Sequence, residues 1–133
     1  MDEQKKRTIL VLEDERQLAR TIREAFIMRK FDVIVVATAE DGIRQLENMK
    51  HVDVIWLDHY LLGAASGLDF IIQMKSSPEW QNIPIFVVSN SSSAENIRSY
   101  IKLGAVNYYT KSDYDINQII DDIEYTLKEN VKK

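Results

Sequence analysis

Acidic, hydroxyl and amine side chains stand at the ends of four short apolar runs in this chain. Ile9-Leu10-Val11-Leu12 ends in Glu13-Asp14, Val54-Ile55-Trp56-Leu57 in Asp58, Ile85-Phe86-Val87-Val88 in the hydroxyl of Ser89, and Val106-Asn107-Tyr108-Tyr109-Thr110 in Lys111. If these runs are parallel strands of one sheet, three carboxylates, a hydroxyl and an ammonium share one edge. That set suits a divalent cation and a phosphoryl group. An aspartate carboxylate can act as nucleophile and form an acyl phosphate. The incoming phosphoryl is negative, so a cation must lie between it and the neighbouring carboxylates. Mg²⁺ prefers oxygen ligands, keeps several waters and is usually held by one or two carboxylates plus phosphate oxygens. Glu13, Asp14 and Asp58 can supply that charge. Without the metal, repulsion among them raises at least one carboxyl pKa. Lys111 can place fixed positive charge on the transferring oxygens, and Ser89 can donate to one of them.

The elements that must position these groups alternate along the chain. Five apolar runs (8–12, 32–37, 52–57, 85–88 and 106–110) are each followed by a helix-period segment. Helix one presents Leu18, Ile22, Ala25 and Phe26, helix two Ile43, Leu46 and Met49, and helix three Leu68, Ile71, Ile72 and Lys75. Helix four is expected to turn Ile97 and Ile101 inward, with Tyr100 and Lys102 toward solvent. Helix five carries the cleanest stripe: Ile116, Ile119, Ile120, Ile123 and Leu127. Thr38 is placed to cap helix two, with Asp41 three residues on, and Ser92 or Ser93 to cap helix four. Gly104 stands where a left-handed C-cap belongs. Runs one and three are apolar at nearly every position, as strands buried on both faces are. Alternating β and α units with right-handed crossovers make an α/β fold with a doubly wound parallel sheet. Ligands of such sheets bind beyond the carboxyl ends of the strands, which is where the polar groups stand.

Length and composition bound the rest. The chain has 133 residues and is expected to be a single domain over 1–133, with its core at about 8–128 and short polar tails. A net charge of −4 argues against a large nucleic-acid footprint. Lys5-Lys6-Arg7 and Lys132-Lys133 read as solvated ends. Cysteine is absent, which removes disulfides, thiolate metal sites and cysteine nucleophiles and fits an intracellular, cytoplasmic protein. No apolar run approaches the roughly 18 residues of a membrane span. The start, Met1-Asp2-Glu3-Gln4, is unlike a signal peptide.

Taken in order, the motifs Leu12-Glu13-Asp14-Glu15, Trp56-Leu57-Asp58, Val87-Val88-Ser89, Gly104-Ala105 and Tyr108 with Lys111 resemble those of a response-regulator receiver domain of two-component signalling. The resemblance covers about residues 8–128. It implies a flavodoxin-like (βα)5 fold of five parallel strands in the order 2-1-3-4-5. It also implies that Asp58 accepts a phosphoryl group from a histidine kinase or a histidine phosphotransfer protein, with Mg²⁺ (or Mn²⁺) as cofactor. Asp14 would bind the metal directly, Glu13 through water, and the main-chain carbonyl of Tyr60 would complete the site with Asp58. Ser89 and Lys111 would contact the phosphoryl oxygens. Tyr108 would be the rotameric aromatic that swings inward when Ser89 moves. The new charge would bias the face made by helix four, strand five and helix five, which an unidentified downstream protein reads. The resemblance implies no enzyme beyond self-phosphorylation and slow autodephosphorylation, no direct contact with nucleic acid or membrane, and a monomer or weak homodimer.

Some positions depart from the family's pattern. Ser112 stands where proline commonly follows the lysine, so the turn into helix five is expected to have a trans peptide. Asn90 replaces the usual small residue after Ser89 and is expected to crowd or hydrogen-bond the phosphoryl group and slow its loss. Gly67 arrives one residue late, which indicates an insertion among Gly63-Ala64-Ala65-Ser66. His59 directly follows Asp58, but strand alternation turns it to the other side.

Other functions fit less well. A phosphatase with an aspartyl nucleophile characteristically needs Asp-x-Asp, whereas His59 and Tyr60 follow Asp58. A nucleotide-binding α/β domain needs a glycine-rich phosphate loop, and the chain has four glycines and no such motif. A receiver-like module that docks a partner without phosphorylation is the remaining alternative.

Overall fold

The computed structural model describes residues 6–49 and 51–131. In chain order the elements are β1 (Thr8–Leu12), α1 (Arg16–Met28), β2 (Asp32–Val36), α2 (Ala39–Asn48), β3 (Val54–Leu57), α3 (Gly67–Lys75), β4 (Ile85–Ser89), α4 (Ala94–Lys102), β5 (Asn107–Thr110) and α5 (Ile116–Val131). The five strands form one parallel sheet in the order β2-β1-β3-β4-β5. This is the doubly wound parallel sheet that the alternating pattern predicts, in the flavodoxin-like strand order that the resemblance implies. Residues 1–5 and 132–133, with the acidic start and most of the basic tips, lie outside the described residues.

Strand alternation divides the core into two layers. Leu10, Leu12, Ile55, Leu57, Ile85, Val87 and Tyr108 point to one side, where they meet Ile43 and Leu46 of α2, Phe70, Ile71 and Met74 of α3 and Tyr100 of α4. Ile9, Val11, Val54, Trp56, Phe86, Val88 and Tyr109 point to the other, against Ile22 and Phe26 of α1 and Ile119, Ile120, Ile123 and Leu127 of α5. The α5 stripe thus packs as its spacing predicts, with Ile116 at its partly buried end.

Helix ends follow local side-chain chemistry. The Thr38 hydroxyl accepts from the Asp41 amide at 3.0 Å, and Ser93, not Ser92, accepts from the Asn96 amide at 3.2 Å. Ser66 and Asp69 make a reciprocal capping box at the start of α3. Gly104 takes φ of +105° after α4, while the Ala105 and Gly104 amides donate back to Tyr100 and Ile101 carbonyls at 3.0 Å. That pattern satisfies carbonyls the helix would leave open. The chain makes the same closure after α1, where the Phe31 and Lys30 amides donate to Phe26 and Ile27. There, however, the left-handed position (φ +69°) belongs to Lys30.

Two helix faces differ from expectation. In α3 the buried line is Gly67, Phe70, Ile71 and Met74, while Ile72 is half exposed. The line begins at a glycine, which adds no apolar signal, so the inner face sits one residue away from the one the aliphatic residues suggest. In α4 the fully buried residue is Tyr100, and Ile101 is 46% exposed. Ile97 packs against the core from the side, as expected. Tyr100 can occupy the interior because its hydroxyl finds a partner there, described below.

Candidate functional site

Register delivers the predicted groups to one edge. Leu12 pairs with Leu57, and the Asp58 amide donates to the Leu12 carbonyl at 3.1 Å, so Glu13 and Asp58 leave adjacent strands together. Ser89 pairs with Thr110, and the Lys111 amide donates to the Ser89 carbonyl at 2.8 Å. Carboxylate oxygens of Glu13, Asp14 and Asp58 lie within 4.8 Å of one another. Glu13 and Asp58 are each 2% exposed, Ser89 is fully buried, and Asp14 is partly open.

Lys111 Nζ lies 3.1 Å from Asp58 Oδ2, to which it donates a hydrogen bond, and 2.9 Å from Glu13 Oε1. The second contact is an ion pair whose angles fall short of an aligned hydrogen bond. The other Glu13 oxygen accepts from the Glu15 amide at 3.1 Å. Asp58 Oδ1 accepts from the Tyr60 amide at 3.3 Å, so the main chain after Asp58 turns back over its own carboxylate.

Electrostatics follow from this packing. Burial pushes the Glu13 carboxyl above its ordinary range. The Lys111 amine opposes that shift, and the Asp58 charge adds to it. For Lys111, burial alone would favour the neutral amine, but the Glu13 and Asp58 carboxylates outweigh it and hold its pKa above the usual value. Three close carboxylates and a single amine leave an excess of negative charge. An all-oxygen donor set of this kind fits a divalent cation.

The hydroxyl side of the site is a hydrogen-bonded chain. The Ser91 amide donates to Ser89 Oγ at 3.1 Å, and Tyr108 Oη donates to the Ser91 carbonyl at 2.6 Å. Asn96 Nδ2, one turn into α4, donates to Ser91 Oγ at 2.9 Å. Ser91 is therefore a buried junction between Ser89, Tyr108 and α4, and the serine-rich composition of its loop had concealed it. Tyr108 is buried, whereas Asn90 stands exposed immediately after Ser89. The Tyr60 side chain is about half exposed. No peptide bond among the described residues is cis, so the bond before Ser112 is trans as expected. His59 does turn away from Asp58, and its ring reaches Tyr100.

The structure thus brings Glu13, Asp14, Asp58 and Lys111 to one point and places Ser89 at the end of β4, Ser91 in the loop that follows and Tyr108 in neighbouring β5. Among the described residues no helix is long and apolar enough to cross a membrane.

Comparison with known proteins agrees with this architecture. The family of the response regulator receiver domain matches residues 9–124. A two-component response regulator of rice (Oryza sativa subsp. indica) is 24% identical over 103 residues, covering 77% of this chain and 84% of that protein. The crystal structure of a CheY-like response regulator receiver domain protein from Methanospirillum hungatei superposes with a TM-score of 0.87 at 20% identity, covering 96% of this chain and 98% of the other. A phosphorylated cyanobacterial phytochrome response regulator superposes with a TM-score of 0.77 at 25% identity, covering 92% and 91%. With a family match spanning most of its length and a fold and acidic edge to go with it, the chain belongs to the response regulator receiver domain family of two-component signalling.

Proposed function

We propose that the chain is a single receiver domain that takes a phosphoryl group on Asp58 from a phosphohistidine donor, a histidine kinase or histidine phosphotransfer protein. The observation that carries this reading is the placement of Lys111 Nζ against the carboxylates of both Glu13 and Asp58. An Asp58 oxygen attacks phosphorus, the bond from phosphorus to the donor imidazole nitrogen breaks, and the electron pair leaves with the imidazole. Lys111 stays charged and meets the oxygens of the transferring group as it is desolvated. Ser89 turns its hydroxyl from the Ser91 amide toward a phosphoryl oxygen. Asp14, Glu13, Asp58 and the Tyr60 carbonyl would hold Mg²⁺ or Mn²⁺. When bound, that ion offsets the negative charge shared by carboxylates and phosphoryl. The cyanobacterial relative, whose structure is of its phosphorylated form, supports the same chemistry here.

Movement of Ser89 withdraws the acceptor from the Ser91 amide, and Ser91 carries the Tyr108 bond and the Asn96 bond. The α4–β5–α5 face therefore responds, and a partner that binds one arrangement better is recruited. Asn90 at the opening slows loss of the phosphoryl group. The chain has no chemistry of its own beyond accepting and slowly hydrolysing that group.

The test is incubation with Mg²⁺ and acetyl phosphate, read by intact mass and by peptide mapping of the modified residue. The expected result is one added phosphoryl group on Asp58, absent in Asp58→Ala and longer-lived in wild type than in Asn90→Ala. Addition at another residue, or no addition, contradicts the proposal, and an unmodified protein favours docking without phosphorylation.

A further inference from the structure

Next to the phosphoacceptor, an imidazole and a buried phenol are locked together. His59 Nδ1 lies 2.7 Å from Tyr100 Oη, with the rings edge-to-face at 5.7 Å and 89°. Tyr100 is fully buried in α4, where a phenol without a partner would be costly, so the His59 bond is what lets it stay. The contact reaches the site through backbone. His59 lies between Asp58 and Tyr60, whose amide donates to Asp58 Oδ1. The His59 carbonyl accepts from the Gly67 amide at 3.0 Å, which ties the same segment to the first turn of α3. A Cβ at Gly67 would stand 2.5 Å from both the Asp58 carbonyl oxygen and Tyr100 Oη. Glycine is thus required where phenol, α3 and the Asp58 main chain converge. On its other side the Tyr100 ring lies 5.8 Å from that of Tyr108.

We propose that Tyr100 is a positioning residue for the phosphoacceptor: through His59 it fixes the main chain from Asp58 to Tyr60 and makes cation binding at Asp58 depend on where α4 sits. This rests on the reading of Asp58 as phosphoacceptor and adds a link that avoids Ser89 and Ser91. Because coupling is reciprocal, whatever moves α4 changes the site, and whatever fills the site bears on α4. The chain therefore joins site and helix twice, once through Ser89, Ser91 and Tyr108 and once through His59 and Tyr100.

The test compares wild type, Tyr100→Phe, His59→Ala and His59→Asn. Asparagine can present a polar atom close to the place of Nδ1. Magnesium affinity is measured by calorimetry, amide exchange at Tyr60 and Gly67 in metal-free protein by NMR, and thermal midpoint as a check of folding. Tyr100→Phe and His59→Ala are expected to weaken Mg²⁺ about tenfold, the lower end for residues that support metal ligands. Exchange at the two amides should quicken, and His59→Asn should restore both readings. Equal affinity and equal exchange in Tyr100→Phe and wild type overturn the inference, as does failure of His59→Asn to recover what His59→Ala loses. If wild type binds Mg²⁺ and is phosphorylated on Asp58 while Tyr100→Phe matches it, this inference alone fails. If wild type does neither, the proposed function fails and this inference with it.

Discussion

Tyr108 and Tyr109 are neighbours in β5, yet their hydroxyls end in different places. Tyr109 enters the layer under α1 and α5, stacks on Phe86 at 6.5 Å and donates to Asp122 on the outer side of α5 at 2.6 Å. Tyr108 enters the layer under α2, α3 and α4 and donates to the Ser91 carbonyl, one link from Ser89. The contrast extends to the layers themselves. Beneath α1 and α5 the packing is aliphatic and aromatic, with Phe26 edge-on to Phe31 at 5.0 Å and to Trp56 at 5.7 Å. Beneath α3 and α4, polar atoms of buried Tyr100 and Ser91 and of partly buried His59 and Asn96 lead back to the carboxyl edge of the sheet. One layer is an apolar wall, and the other carries hydrogen bonds that run from α4 to the carboxyl edge of the sheet.

The sharpest way to break that division is to weaken the wall. Phe26→Ala opens a void among packed rings and should cost about 3–5 kcal/mol of stability by urea unfolding. Magnesium affinity of the remaining folded protein should stay at the wild-type value, and a parallel loss of affinity would show that the wall also shapes the site. Lys111→Ala acts at the edge instead. The rate of modification by acetyl phosphate should fall roughly a hundredfold, as when one fixed stabilising donor is removed. A variant that accepts phosphoryl at the wild-type rate would remove Lys111 from the chemistry.

A pH series probes both layers at once. Burial, first of all, raises the phenol pKa of Tyr100 and of Tyr109 above 10.0, and the hydrogen bond to Asp122 raises that of Tyr109 further. Below the unfolded value both phenols are protonated in both states, and their contribution to stability is complete. As pH rises past 10 the unfolded chain releases protons that the folded chain keeps, so stability falls toward the folded values. Urea midpoints should therefore drop between about pH 9 and about pH 11. Tyr109→Phe and Tyr100→Phe should each flatten that drop, and a slope unchanged in both variants would contradict the assignment.

The smallest effect tests a position that belongs to neither layer. Lys30 closes α1 in the left-handed region, where glycine closes α4. Lys30→Gly should stabilise the protein by about 1 kcal/mol, the scale of the side-chain penalty there. A destabilised variant would mean that the lysine side chain contributes more than its backbone costs.

Much of this was legible in the chain because the signals were local. Alternation along runs as short as four residues separates Trp56 from Leu57 and Tyr108 from Tyr109, and the members of each pair lie in opposite layers. The ends of those runs identify Glu13, Asp14, Asp58, Ser89 and Lys111 as neighbours, and the structure brings them to one edge. What escaped depended on distant partners. Tyr100 reads as a surface residue until His59, 41 positions earlier, supplies its hydrogen bond and Gly67 leaves it room. Ile101 then faces out because its neighbour faces in. Ser91 was hidden among serines, and its carbonyl takes the Tyr108 hydroxyl from the next strand while Ser89 and Asn96 bond it locally. The Gly67, Phe70, Ile71 and Met74 spacing was present all along, but its first member carries no side chain.

The most direct measurement of the central claim is the intact mass of the wild-type chain after acetyl phosphate and Mg²⁺, with and without a chelator. One phosphoryl group confined to Asp58, formed with the metal and not formed when the chelator is present from the start, is the predicted result. A chain that stays unmodified, or one modified equally in Asp58→Ala, would contradict it.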